Sequence, residues 1–283
     1  VVDDQQVPEL GGSEVPGQRE QPLLYDVAVT RRENLKKSPH RVRTVYRTLD
    51  SRSKEAAMTL LGDFSGTLIV DGLASYSAAA KGDTDNLHRF KIANCHAHAR
   101  RRFVDCEQSW PAESACVIGL YQQLYEIERI GKEPGIDLLT LRQTQSKPLI
   151  DQLYTWAREQ QARQDIPNAS TLAKALTYLL NQEPGLRVYL DDPAVNIDNN
   201  TAERAMRTPV LGRENFYGSR SRRGAENAAI FYTLIDAAKR AGVSPQAYLV
   251  AAVEYALTKN GETLLPAEFK SQLDAVRDPP ITA

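Results

Sequence analysis

The chain has 283 residues, of which 42% are hydrophobic and 25% charged, with a formal net charge of −1. That is the composition of an ordinary soluble globular protein with room for one large core or two modest ones. No apolar run reaches the length of a bilayer span, and three cysteines (Cys95, Cys106, Cys116), an odd number without zinc-ribbon spacing, fit a reducing compartment better than a disulfide framework.

The chain opens on Val-Val without an initiator methionine or a secretory signal, and is expected to be a fragment with sequence missing upstream. VVDDQQVPEL reads as a short strand running into turn formers, followed by the loop GGSEVPG. LLYDVAVT and VRTVYRTL alternate as half-buried strands. SRSKEAAMTLLGDF reads as a helix capped by Ser51 or Ser53 and ended by Gly62. GTLIVDG is a continuous apolar run closed by Asp71 and Gly72, the pattern of a buried central strand. LASYSAAAK is a short helix, and FKIANCHAH reads as a further strand. From residue 97 to 195 the spacing changes to that of amphipathic helices, as in the stripe Val117, Leu120, Leu124, Ile127 and Ile130. Pro134, Pro148, Pro167 and Pro184 punctuate this layer. Two helices follow, AAIFYTLIDAAKRAG closed by Gly242 and SPQAYLVAAVEYALTKNG capped by Ser244.

Charge is distributed unevenly. From Arg204 to Arg223 there are six arginines and a single acid, Glu214, and further basic stretches run from Arg31 to Arg47 and over Arg100, Arg101 and Arg102. Such stretches within a neutral chain permit a polyanion-binding face, although solvated surface charge has the same appearance. Asp3 and Asp4 are adjacent on a strand and point to opposite sides, so one of them at most serves a site on one face. Asp71 either begins a turn or points a carboxylate into the cleft at a strand end. Asn200-Thr201-Ala202-Glu203 has capping-box spacing, with Asn200 as N-cap, and Glu203 and Arg207 are spaced for an i, i+4 pair. Cys95, His96 and His98 suggest a metal cluster but lack a regularly spaced fourth ligand; on a strand the two histidines would share a face, to contact phosphate or to pack. Walker A, Rossmann and G-x-S-x-G patterns are absent, which leaves acid-rich, metal-dependent phosphoryl chemistry as the main enzymatic option.

The stretches VVDDQQVPEL, GTLIVDGLASY, CHAHARRRF, SKPLIDQL, LTYLLNQ, IDNNTAERAMRTPVLGREN, YGSRSRRGAENAA and YTLIDAAKRAGVSPQAYL together resemble the bacterial insertion-sequence-66 family of transposases, in the family's order over most of the chain. The resemblance implies an α/β fold, a ribonuclease H-like mixed sheet with flanking helices interrupted by an all-helical insertion. It divides the chain into a first core part (1–96), the insertion (97–195), a second core part (196–245) and a C-terminal helical tail (246–283). It implies an Asp-Asp-Glu triad of Asp3, Asp71 and Glu203 holding two Mg2+ ions, with Mn2+ as substitute. Asp3 is preferred to Asp4 as the first acid of the family's motif, and Gln5 and Gln6 stand where threonine and proline are usual. Asn199, Asn200, Arg204, Arg207, Arg213, His96, His98 and Arg101 are the expected DNA contacts. The implied activity is cleavage of double-stranded DNA at transposon ends and joining of the 3′-hydroxyl to target DNA, with self-association on DNA in the bacterial cytoplasm at the nucleoid. A nuclease of the same fold without strand transfer, and a catalytically silent DNA-binding or assembly protein, are the alternatives.

Overall fold

A computed structural model describes residues 2–4, 25–35, 38–49, 51, 53–72, 74–80, 90–216, 219 and 221–277. It is a mixed α/β protein, mostly helical, and it separates into two compact units. One comprises 1–3 and 52–203, the other 4–51 and 204–283. Gln5, Gln6 and the loop GGSEVPG lie outside the described residues, as do the side chains of Asp3, Asp4 and Arg213.

The boundary between the units falls inside β1 (Val2–Asp4), which shares a three-stranded sheet with the next two strands of the chain; the first unit continues with α1 (Lys54–Leu61). Ser53 caps α1, its Oγ accepting from Ala56 N at 3.2 Å, and Gly62 ends it at φ +51°. Strands β4 (Gly66–Val70) and β5 (Phe90–Asn94), with α2 (Ala74–Ala80) between them, pair in parallel with Val70 opposite Asn94. Among the described residues β4 and β5 form a two-stranded sheet of their own. Leu68, Ile69 and Val70 are all buried, as the continuous apolar run requires.

FKIANCHAH is not one strand. Strand β5 stops at Asn94, and α3 (His96–Val104) begins two residues later. The cause lies in its neighbours. β4 ends at Val70, whose carbonyl takes the Cys95 N–H at 3.0 Å, and the next donor, His96 N–H, turns instead to the Ile197 carbonyl at 3.1 Å. With no strand residue left to pair, the backbone coils into a helix.

The insertion continues with α4 (Pro111–Ile130), α5 (Leu138–Leu141), a π-helical turn (Arg142–Ser146), α6 (Lys147–Gln161), α7 (Thr171–Asn181), α8 (Glu183–Leu186) and α9 (Val188–Asp191). The stripe read on α4 faces inward: Val117, Leu120, Leu124 and Ile127 are buried and Ile130 half-buried. Leu120 and Leu124 join Phe103, Ile150, Leu153, Leu172 and Leu176 in one core that also contains Ile69 of β4 and Ala93 of β5. The helical layer therefore closes over the parallel strands rather than standing apart from them. STLAKALTYLLNQEPGLRVYL breaks into three helices, the first break falling where Pro184 brings no N–H to continue α7 and the second at Arg187. Gly185 next to it lies against β5, where an added Cβ would sit 1.7 Å from Asn94 Oδ1.

In the second unit, β2 (Tyr25–Leu35) and β3 (Ser38–Leu49) form an antiparallel hairpin, longer than the alternation suggested. Thr44 and Tyr46 of β3 point inward while Val45 and Arg47 point out. Helix α10 (Asn200–Phe216) leaves the first unit and enters the second, followed by α11 (Arg222–Ala241), α12 (Pro245–Thr258) and α13 (Pro266–Arg277). Tyr46 packs with Ala205, Met206 and Ala229, and its hydroxyl donates to the Ala205 carbonyl at 3.0 Å. Gly242 closes α11 in the left-handed conformation and Ser244 caps α12, as the sequence indicated. No helix among the described residues is long and apolar enough to cross a membrane.

Candidate active site

The site is built where the two parallel strands end. Asp71 and Gly72 leave β4 through a turn at which Gly72 has φ +99°, a conformation that favours glycine. Space demands glycine as well: a Cβ on Gly72 would lie 2.8 Å from the Tyr178 hydroxyl. That hydroxyl, on α7, donates to the Asp71 carbonyl at 2.8 Å. Burial, and then the nearby Asp71 charge, push the Tyr178 phenol up to about 12, so it stays a protonated donor at neutral pH. The insertion thus fixes the backbone that carries Asp71. Four residues on, at the C-terminal cap of α7, Gln182 Oε1 accepts from Asn94 Nδ2 at 2.6 Å and holds the end of β5.

Beside this turn, Cys95 heads α3 and is fully buried. Its Sγ accepts from Asn199 N at 3.4 Å, which ties the head of α3 to the segment entering α10. Burial pushes the thiol up to about 12, reinforced by the carboxylates of Asp198 and Glu203 and opposed by the N–H groups of Asn199 and His98. His98, one turn into α3, places Nδ1 3.4 Å from Glu203 Oε1 of α10. Cys95, His98 and Glu203 each offer a ligand atom, and these three atoms all lie within 4.8 Å of one another.

The start of α10 differs from a capping box. Asp198 does the capping, with Oδ1 accepting from Asn200 N at 3.1 Å and Oδ2 from Asn200 Nδ2 at 2.6 Å. Asn200 is the first helical residue rather than the cap, and the Glu203 carboxylate faces His98. Asn199, expected to touch DNA, is fully buried, whereas Asn200 is half-buried. Arg204 and Arg207 are exposed on α10, and Arg101 is exposed on α3.

The two histidines do not share a face. Two positions apart on a helix they diverge, and His96 is fully buried. Its Nε2 donates to the Leu186 carbonyl at 2.7 Å, and Nδ1 lies 3.3 Å from the Tyr121 hydroxyl, which fits acceptance of the phenol proton. A DNA contact needs solvent access that His96 lacks; its place is in the core, edge-on to Tyr189. Burial, with the Arg142 charge adding to it, lowers its pKa to about 4, against the pull of the Leu186 carbonyl. The unfolded chain therefore takes up a proton near the ordinary value of 6.5 while the folded chain does not until about pH 4. Above that window His96 leaves stability unchanged; as pH falls through it, stability drops by about 3 kcal/mol in all. Urea unfolding should register about 2 kcal/mol of this between pH 7 and pH 5 in the wild type. The loss should shrink by that amount in His96→Gln, and equal losses in both proteins would remove the assignment.

A second buried device was not visible in the sequence. Arg142, on the π-helical turn, forks onto Glu128 with both N···O distances at 2.7 Å. Its Nη1 also donates to the carbonyls of Tyr189, Asp192 and Val195 at 2.7, 2.9 and 3.0 Å. It thereby pins the strand of chain that runs from α9 toward Ile197 and α10. Tyr178 and Gln182 carry no signal of their own within LTYLLNQ, whereas Cys95 and His98 belong to the Cys-His-x-His spacing that suggested a metal cluster.

Comparison with known proteins gives a consistent answer. The profile described as Transposase IS66 family matches residues 13–227. Among curated proteins of Sinorhizobium fredii (strain NBRC 101917 / NGR234), the chain is similar to uncharacterized protein y4jD, 34% identical over 230 residues, covering 78% of this chain and 45% of the relative. Uncharacterized protein y4hP is 30% identical over 244 residues, covering 80% of this chain and 44% of its own. The chain thus spans under half the length of these relatives. No solved structure matches. On the strength of the profile, which takes in both Asp71 and Glu203, the chain belongs to the IS66 family of transposases.

Proposed function

We propose that the chain is the catalytic part of a DNA transposase with a ribonuclease H-like core, in which Asp3, Asp71 and Glu203 are the acting carboxylates. The observation that carries this is the placement of Asp71 and Glu203. Asp71 directly follows Val70, whose carbonyl bonds to Cys95, and a Glu203 oxygen lies within 4.8 Å of the Cys95 sulfur. Two acids distant in sequence thus stand at the same end of one parallel strand pair, where open α/β sheets bind ligands.

Carboxylate oxygens are the donors that hard divalent cations require. Two Mg2+ ions, or Mn2+ in their place, held by Asp3, Asp71 and Glu203 would supply Lewis-acid stabilisation of an in-line phosphoryl displacement. The protein's own part is positioning. Tyr178 fixes the Asp71 turn, and His98 Nδ1 lies 3.4 Å from the Glu203 carboxylate. The first turn of α10 favours anionic oxygens, and Arg101, exposed on α3 of the same unit, is a phosphate contact. Arg204, Arg207 and Arg213 are DNA contacts of the second unit. The reaction is hydrolysis of a phosphodiester at a transposon end, followed by attack of the freed 3′-hydroxyl on target DNA. Self-association on paired ends accompanies it.

The test uses labelled duplexes carrying the ends of the element that encodes the chain, with Mg2+ or Mn2+. Wild type should cleave and then join the 3′-hydroxyl end to a second duplex, and Asp71→Asn should do neither while keeping its helical circular dichroism. Undiminished cleavage by folded Asp71→Asn would reject the assignment. Cleavage without joined product would identify a nuclease.

A further inference from the structure

Cys95, His98 and Glu203 form a donor set that magnesium does not explain. A thiol is no ligand for a hard cation, whereas thiolate sulfur, imidazole nitrogen and carboxylate oxygen are each ligands that zinc accepts. Cys95 and His98 come from the head of α3 and Glu203 from the first turn of α10, two elements already tied together by the Asn199 N–H to Cys95 Sγ bond at 3.4 Å. Such an N–H···S contact favours the thiolate, as the partners behind metal ligands generally do. Around a tetrahedral zinc the three donor atoms would sit about 3.4–3.6 Å apart. The His98 Nδ1 to Glu203 Oε1 separation is already 3.4 Å, and no separation in the group exceeds 4.8 Å. Rotation of the two half-buried side chains about their own bonds closes a gap of about 1 Å. Three protein ligands leave the fourth position for water or another small ligand, the open form of zinc site.

We propose that Cys95 Sγ, a ring nitrogen of His98 and the Glu203 carboxylate bind one zinc ion, or a divalent ion of similar softness, at the head of α3. Binding releases the Cys95 thiol proton to solvent, and nothing is oxidised or reduced. The consequence for activity rests on the proposed function: zinc on Glu203 withdraws that carboxylate from phosphoryl transfer, so zinc acts as an inhibitor.

The experiment is titration of the chelator-treated 283-residue chain with Co2+, read by absorption. The expected result is one equivalent bound, with a thiolate-to-cobalt charge-transfer band and the strong visible bands of four-coordinate cobalt, all bleached by one equivalent of Zn2+. Cys95→Ser should lose the charge-transfer band, and Cys106→Ser and Cys116→Ser should keep it. His98→Ala and Glu203→Gln should bind at least about tenfold more weakly, since even partners one shell further out cost that much. A wild type without the band, or a band that survives Cys95→Ser or vanishes in Cys116→Ser, overturns the site. Because Cys95 is buried, His98→Ala, which alters a half-buried residue, is the decisive variant should Cys95→Ser fail to fold; unchanged affinity in His98→Ala also overturns it. Cobalt binding is read without DNA. A chain that cleaves DNA but shows no band loses the zinc site alone, and one that shows the band but does not cleave loses the proposed function alone.

Discussion

Glu203→Gln is expected to lower DNA cleavage by at least about a hundredfold while leaving the fold intact, because a pre-placed charged group at a phosphoryl centre is worth several kcal/mol in the transition state and little elsewhere. Stability and activity separate cleanly at this residue. Its pair with His98 spans 3.4 Å between side chains that are 30% and 29% exposed, the kind of contact that contributes at most about 1 kcal/mol. The helix it opens is capped by Asp198, so losing the glutamate charge removes no cap. The amide of glutamine keeps the shape and can still meet His98, but it lacks the negative charge needed beside a cation. Glu203→Asp should recover little, since the shorter side chain withdraws the carboxylate by one methylene. The measurement is single-turnover cleavage alongside a thermal melt. A melt lowered in step with activity would mean that Glu203 is a structural residue after all.

Arg142→Met is the change expected to cost most in stability, about 3–5 kcal/mol, because it strands a charge in the interior. The guanidinium is 1% exposed and its Glu128 partner 11%. Removing it leaves that carboxylate unpaired and also releases three backbone carbonyls on α9 and the segment beyond. At about 2–4 °C per kcal/mol for a unit of this size, the melting temperature should fall by roughly 10 °C. The double variant Arg142→Met, Glu128→Leu should regain part of the loss, since it removes both charges. A single variant that loses less than about 1 kcal/mol would show the pair to be solvated in solution.

The residues that were legible in the sequence are those obeying local rules. The α4 stripe, the Ser244 cap and the Gly242 stop follow from spacing and residue type within a few positions. The buried strand before Asp71 was legible from its apolar run, which left open whether the carboxylate begins a turn or faces a cleft. The end of β5 was not. Cys95 is no usual N-cap, so nothing local announces α3, and the switch depends on the Ile197 carbonyl far along the chain. For Glu203 the spacing offered the helix cap or Arg207 four residues on, and the contact with His98 comes from α3, far away along the chain. Arg142 was hidden for the same reason: its five partner atoms lie on Glu128, Tyr189, Asp192 and Val195, none within a helical turn of it.

The π-helical turn from Arg142 to Ser146 carries a further implication, one about chain length rather than chemistry. A wide turn of this kind accommodates one more residue than the α-helix on either side would need. Deleting a single residue there would let the backbone relax into unbroken α-helix with α5 and α6 kept close to their present register, whereas the same deletion inside α6 would turn whatever lies beyond it by about 100°. The turn from Arg142 to Ser146 is therefore the place in this run of helix where a change of length is absorbed locally, which the regular turns on either side do not allow.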